Sequence, residues 1–424
     1  MSELLRSLLM TGRERVALAV QHKEADRVPI DLGSIRSSGI AAQAYNNLLK
    51  ILNINEQTKM FDFQQQLAYP SEIIRKRFHV DAVNAGQGFL QSKSDWKDWK
   101  LNDGSFCRVP NYLNLEQDLE GNTWLKNSSN LPLGLKPADS LYTNQIYWPY
   151  GDLPSIPEHI YDEDVNKQMW MIPCSPFHLD VNNDEQLSQF IKGIQEFSQR
   201  STEAVVLSLG GSFFETGTFL RKIDNFLVDL YIDRKGAERL LDFLLDRYLE
   251  RLELILSSIN GYVDILTFGD DLGTQNGLWM SPEVIGDLFI PRYKKIWDIV
   301  HSKSECKVFL HSCGSIYSII GRLIDAGLDI LNPIQTSAKN MQPGKLKDEF
   351  GKHITFWGGG CDTRDILPFG SPEEVKDHVK RQIEFFAKDG GFVFNQIHNI
   401  LADVPPKNIL ALFDAAFEFG QYEK

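Results

Sequence analysis

Four side chains in the last third of the chain, His311, Cys313, Cys361 and His398, are of the kinds that bind a borderline metal ion. Imidazole and thiolate are the ligands zinc prefers, and a catalytic zinc takes three protein ligands with one position left open. His311 and Cys313 stand two residues apart where the apolar run Lys307-Val308-Phe309-Leu310 ends, so extended backbone points both the same way. A lone His-x-Cys pair is equally well explained by packing, because buried cysteines and hydrogen-bonded histidines are ordinary core residues. The metal reading gains from Cys361 and His398, each of which follows a later strand-like run. Cys107, Cys174 and Cys306 have no such placement, and Cys306, at the start of its run, is expected to serve packing.

Carboxylates and amides recur at the same kind of position. Asp270-Asp271 closes one apolar run, and Glu215 follows the Gly210-Gly211-Ser212 turn after another. Asp271 or Glu215 could be an extra ligand, a partner that fixes a histidine tautomer, or a proton donor. Capping of a following helix accounts for such residues just as readily. Asn332, Gln335, Gln275 and Asn395 are neutral donors and acceptors suited to a polar substrate, or equally to holding turns.

Something must bring these groups to one place. Eight short β-rich runs succeed one another: Val28 to Gly33, Val80 to Asn84, Ala204 to Gly211, Asp264 to Asp271, Lys307 to His311, Asp329 to Gln335, Ile354 to Gly359, and Gly391 to His398. Apolar runs bounded by Gly and polar turns mark strands buried on both faces. Helical segments lie between them, opened by Ser281-Pro282-Glu283, by Ser371-Pro372-Glu373 and by Pro406, an N-cap or a first-turn proline in each case. Parallel strands with helical crossovers predict a (β/α)8 TIM barrel, with a doubly wound open sheet as the alternative. In a barrel the candidate residues share one rim, with neighbouring strands about 5 Å apart.

The interval between the second and third runs breaks the rhythm. Residues 94–152 are rich in Trp, Tyr, Asn, Gly and Pro, and read as an aromatic-rich, hairpin-bearing insertion over one end of the barrel. This region is expected to end near Asp180, where a helix from about Asn183 leads into the third run. Residues 1–424 otherwise form a single (β/α)8 domain in this reading.

Bulk properties exclude several function classes. A formal net charge of −13 with no basic stretch argues against a nucleic-acid partner. No apolar run is long enough for a membrane span, and the opening Met1-Ser2-Glu3-Leu4-Leu5-Arg6 is a short amphipathic lead without a signal-peptide core. Five cysteines form no regular framework, which favours free thiols and a cytoplasmic protein.

Strings throughout the chain resemble the uroporphyrinogen decarboxylase superfamily, in particular its cobalamin-linked zinc methyltransferase branch. They include Thr11-Gly12-Arg13-Glu14-Arg15-Val16, His22 to Pro29, Asp270 to Gln275, His311-Ser312-Cys313-Gly314, Asn332-Pro333-Ile334-Gln335, Trp357 to Thr363, and His398-Asn399-Ile400. The resemblance implies a (β/α)8 barrel. It makes the namesake decarboxylation a poor expectation, because that activity uses an N-terminal arginine pair around Gln-Ala-Gly. In the corresponding stretch after Pro29, Ile30 to Ser37, the one arginine is Arg36.

In the methyltransferase branch, His-x-Cys and a later Cys bind zinc. His311 and Cys313 match the first two. Counted back from Val404-Pro405-Pro406, the late Cys falls at His398, so His398, Cys361 or both complete the set. Imidazole in place of thiolate leaves more positive charge on the metal, which leans toward activating a methoxyl- or methylamine-type donor over a thiol acceptor. The resemblance also implies a corrinoid protein as partner, since no Asp-x-His-x-x-Gly corrinoid signature occurs here. Two other readings compete: a metal-free lyase anchoring a tetrapyrrole or smaller acid on Asp271 or Asp31, and a non-catalytic barrel that binds a ligand or partner through the Trp96–Trp148 region.

Overall fold

The computed structural model describes residues 10–171 and 183–422. The amphipathic lead, Cys174 and the boundary near Asp180 lie outside the described residues. Seven of the eight expected runs form one parallel sheet, in spatial order matching their order in the chain. Its strands are Ala82–Asn84, Ala204–Ser208, Ile265–Phe268, Lys307–His311, Ile330–Asn332, Thr355–Trp357 and Phe392–Val393.

The first run contributes less than expected, a stave whose single residue Ile30 bridges Val80 on one side and Phe394 on the other. Pro29 has no N–H to donate, and the Ile30 N–H goes to the Asp81 carboxylate at 2.8 Å, so no regular ladder can form there. The stave still joins both ends of the sheet: Asp81 donates to the Ile30 carbonyl at 2.7 Å and Phe394 to the Pro29 carbonyl at 2.8 Å. The sheet curls into a (β/α)8 barrel, and the open doubly wound alternative is ruled out.

Inward-facing residues fill the barrel. Ala82, Ala204, Val206, Ile265, Phe309, Ile330, Trp357 and Val393 form one buried cluster, joined by Val16 and Ala19 of helix Gly12–Val20. Phe309 and Trp357 meet edge to face at 5.6 Å. Below this layer, Asp81 pairs with Arg27 at 2.6 Å and with Arg15 at 3.2 Å, and Arg15 also binds Asp26. The pole with the strand starts is therefore closed by packing and ion pairs, which leaves the opposite rim for chemistry.

The helices follow their sequence signals. Ser371 caps Pro372–Phe386 with a full capping box, and Pro406–Phe419 is the last helix. The segment from Pro282 is interrupted by a π turn, Ile285–Phe289, before Ile290–Lys303. Pro291 explains it, since a proline in mid-helix cannot donate and forces the ladder to re-register. Between the second and third strands lie a hairpin, Trp96–Lys100 with Phe106–Pro110, and a four-stranded antiparallel sheet spanning Asn114 to Gln145. Gln145 donates to the Phe219 carbonyl and Tyr150 to that of Leu220, which tethers this region to the helix following the third strand.

Candidate metal centre and cavity

His311 ends the fifth strand, and its Nδ1 lies 2.6 Å from Oδ1 of Asn332, the last residue of the neighbouring sixth strand. The Asn332 amide cannot turn over, because its Nδ2 donates to the Trp357 carbonyl at 2.7 Å. Ser37 Oγ donates to the same Oδ1 at 2.8 Å. An amide oxygen only accepts, so His311 must carry its proton on Nδ1 and present the Nε2 lone pair outward.

Cys313 Sγ lies 3.4 Å from that Nε2. Its turn is held from both sides: Asp271 Oδ1 accepts the Cys313 N–H at 2.8 Å, and Gln335 Oε1 accepts the Gly314 N–H at 2.8 Å. Gly314 has φ +87°, and a Cβ there would meet the Gly273 carbonyl carbon at 2.5 Å, so only glycine fits. His398, past the eighth strand, completes the group. Ligand atoms of His311, Cys313 and His398 all lie within 4.8 Å of one another.

These residues suit a zinc ion. Bonds of about 2.3 Å to sulfur and about 2.0 Å to nitrogen place tetrahedral neighbours about 3.5 Å apart, close to the 3.4 Å seen between Cys313 and His311. Burial, and then the nearby His311 ring, push His398 down to about 4, so it is neutral and able to coordinate at pH 7. Burial, followed by the Asp271 carboxylate, pushes the Cys313 thiol well up. A bound dication would reverse that balance and release the thiol proton. Asp271 Oδ1 stands 3.5 Å from His311 Nε2, within reach of becoming a fourth ligand.

The two carboxylates of the Asp270-Asp271 pair have separate tasks. Asp270 is fully buried and accepts from the N–H groups of Phe213, Phe214 and Glu215 at 2.7–2.8 Å, and from the Tyr293 hydroxyl at 2.5 Å. It thus supplies the N-terminal cap of helix Phe214–Arg221 from another strand and holds Glu215 at the cavity wall. Glu215 is pushed well up, first by burial and then by Asp271 and Asp270. A Cβ on Gly269 would lie 2.8 Å from Glu215 Oε2, so the bare backbone there makes room for this carboxyl.

The remaining candidates lie elsewhere. Cys361 does not join the ligand group: it is fully buried, its thiol faces the Asp362 carbonyl at 3.7 Å, and its carbonyl accepts from Ile397. The chain after the seventh strand keeps running alongside residues 395–397 and never turns the thiol to the rim. Asn332 is buried behind His311 and touches no cavity surface. Gln275 and Gln335 bond each other at 2.9 Å and tie the loops after the fourth and sixth strands together. Asn395 is buried and donates to the Gln396 carbonyl. Cys306 is packed, with its thiol on the Val263 carbonyl, and Cys107 is buried in the inserted hairpin.

A cavity of about 550 Å³ opens beside the metal group, in the size range of small-molecule sites. Glu215, Asp271, His311 and His398 line it, together with Phe61, Trp170, Phe219, Phe268 and Phe309. Arg36, Tyr248 and Arg251 line it as well, and of these only Arg36 stood out in the sequence. Tyr248 and Arg251 do leave a trace there, as polar residues one turn apart beside the Leu244, Leu245, Leu252 and Leu256 stripe of helix Arg234–Ile259.

Residues 144–419 match the sequence pattern of the Uroporphyrinogen decarboxylase (URO-D) family. The chain belongs to the uroporphyrinogen decarboxylase family. The match takes in the third to eighth strands and all four candidate ligands. The chain is 28% identical over 124 residues to a methionine synthase of Methanocaldococcus jannaschii, which is 29% of this chain and 39% of that protein. It is 38% identical over 53 residues to a uroporphyrinogen decarboxylase of Ruthia magnifica subsp. Calyptogena magnifica, 12% of this chain and 15% of that one. The chain thus spans well under half the length of these relatives. A methyltransferase from Methanosarcina mazei shares the fold from end to end, with a TM-score of 0.57 over 97% of this chain and 99% of that one, at 15% identity.

Proposed function

We propose that this member of the uroporphyrinogen decarboxylase family is a zinc-dependent methyltransferase. It would move a methyl group between a small donor of methoxyl or methylamine type, or a thiol acceptor, and a corrinoid carried by a separate protein. One observation carries the reading: His311, Cys313 and His398 converge within 4.8 Å at the cavity, with the His311 lone pair aimed at the group. The methionine synthase relative supports the same reaction class.

His311, Cys313 and His398 would hold the ion, with Asp271 at its side. Bound zinc supplies Lewis acidity toward an oxygen, nitrogen or sulfur atom of the substrate. Two imidazoles and one thiolate favour polarising a donor over generating a thiolate acceptor. Glu215, which burial and then Asp271 and Asp270 bias toward its protonated form, serves as the general acid that protonates the heteroatom losing its methyl group. The aromatic walls exclude water from that atom.

The geometry removes one of the two anchors of the lyase reading. Asp31 is fully buried, and its carboxylate accepts from Trp357 Nε1 at 2.9 Å and from the Ser34 N–H at 3.0 Å, so it cannot anchor a ligand. Asp271 lines the cavity, with one oxygen engaged by the Cys313 turn beside the candidate ligands. None of Trp96, Trp99, Trp124 and Trp148 lines the cavity. Among the described residues no helix is long and apolar enough to cross a membrane.

The deciding experiment is elemental analysis of the wild type beside Cys313→Ala, followed by methyl-transfer assays with a reduced corrinoid protein read by corrinoid absorbance. We expect about one zinc per chain, lost together with transfer in the variant. Undiminished transfer in both His311→Ala and Cys313→Ala would overturn the proposal.

A further inference from the structure

The cavity holds a cation that the proposed metal chemistry does not use. Helix Arg234–Ile259 carries four arginines, and three are engaged. Arg234 pairs with Glu238, Arg239 donates to the carbonyls of Ile156 and Pro157, and Arg247 binds Asp162 and Asn166. Arg251, the fourth, lines the cavity, and among the described residues no carboxylate or hydrogen-bond acceptor meets its guanidinium. The other arginine on the wall, Arg36, is already paired with Asp62 at 2.9 Å.

The neighbours of Arg251 cannot balance its charge. The Tyr248 hydroxyl donates to the Ser212 carbonyl at 2.8 Å, and burial keeps that phenol protonated. Glu250 is exposed on the surface of the helix. Burial pushes the Arg251 guanidinium down, a cost that Tyr248 and the exposed Glu250 offset only in part. A fork of N–H donors without an acceptor, set in a wall of aromatic rings, is the complement of an oxyanion on an apolar body.

We infer that Arg251 is the specificity-determining residue of the cavity and that it binds a monoanionic oxyanion head, carboxylate or sulfonate, on a small substrate with an apolar, ring-sized body. This rests on the cavity being the substrate site of the proposed methyltransferase. The reacting heteroatom then lies at the His311, Cys313 and His398 end, and the anionic head at Arg251.

The test is calorimetric binding of benzoate, benzenesulfonate and neutral benzamide to the full chain, in the wild type, Arg251→Gln and His311→Ala. At least one anion should bind more tightly than benzamide, and should lose about tenfold or more in affinity in Arg251→Gln, as expected for a charge-assisted pair. Which anion responds identifies the head group. Benzamide affinity and zinc content should not change in that variant, which separates a lost contact from a disturbed fold. Anion binding that survives in His311→Ala while zinc is lost would show the subsite to be independent of the metal proposal. The inference is overturned if neither anion outbinds benzamide, or if Arg251→Gln leaves both anion affinities unchanged.

Discussion

Asn332 Oδ1 and His311 Nδ1 stand 2.6 Å apart, and the Trp357 carbonyl holds the other end of the same amide at 2.7 Å. A residue on one strand thereby fixes the ring orientation and tautomer of a candidate ligand on the next. Asn332→Ala removes the acceptor that keeps the His311 proton on Nδ1. Zinc affinity, measured by competition with a chromogenic chelator, should fall about 10- to 100-fold, the usual effect of losing such a partner. An affinity close to that of the wild type would reduce Asn332 to a packing residue.

His398 and Cys361 make opposite predictions, although each follows a strand end. His398→Ala should strip the metal, because it removes one of three converging ligand atoms. Cys361→Ala should keep full zinc content and lose only about 1–2 kcal/mol of stability through a small buried cavity. Zinc lost from Cys361→Ala and kept in His398→Ala would reverse the ligand assignment.

Glu215→Gln tests the proton donor. The replacement keeps shape and polarity but has no proton to give, so kcat should drop about 10²- to 10⁴-fold with zinc content unchanged. In the proposed chemistry the acid form is the active one, and burial with two neighbouring carboxylates raises its pKa. Activity should therefore fall as pH rises through that raised value, and this limb should vanish in the variant. A pH profile with the same basic limb in both proteins would remove Glu215 from the chemistry.

Asp31 should leave its mark on stability. Burial raises it from 3.8 to about 6, against the hydrogen bond from Trp357. Between those values the folded chain keeps a proton that the unfolded chain has released, so unfolding becomes easier as pH rises through the window. Relative to Asp31→Asn, the wild type should lose up to about 3 kcal/mol between pH 3.5 and 7, at 1.36 kcal/mol per pKa unit. Urea midpoints at the two pH values measure it, and a constant difference between the proteins would show the carboxyl to be ionised throughout.

The strands were legible because parallel strands buried on both faces leave unbroken apolar runs, and Lys307–His311 starts and ends where its pattern does. Val28 to Gly33 misled, because an apolar run does not reveal that Pro29 lacks a donor and that Asp81 takes the next N–H. The His311 and Cys313 pairing followed from a two-residue repeat alone. Cys361 could not be excluded in the same way, since whether a thiol past a strand end turns to the rim depends on how the loop pairs with residues 395–397. Arg251 was hidden for another reason. A charged residue in a long amphipathic helix looks solvated, and only the fold shows that this one borders a cavity without a partner.

The residues that define the metal group and those that shape the cavity come from different parts of the chain. His311, Asn332 and Trp357 end strands braced by the barrel interior and His398 follows the last strand, whereas Ser34, Gln65, Gln168 and Leu209 sit on connecting segments. Under the proposed function, a lineage with this division can trade one methyl donor for another by drift in its loops, while the metal group is inherited intact. Laboratory evolution toward new donors has the same freedom, provided that libraries spare His311, Asn332, Trp357 and His398.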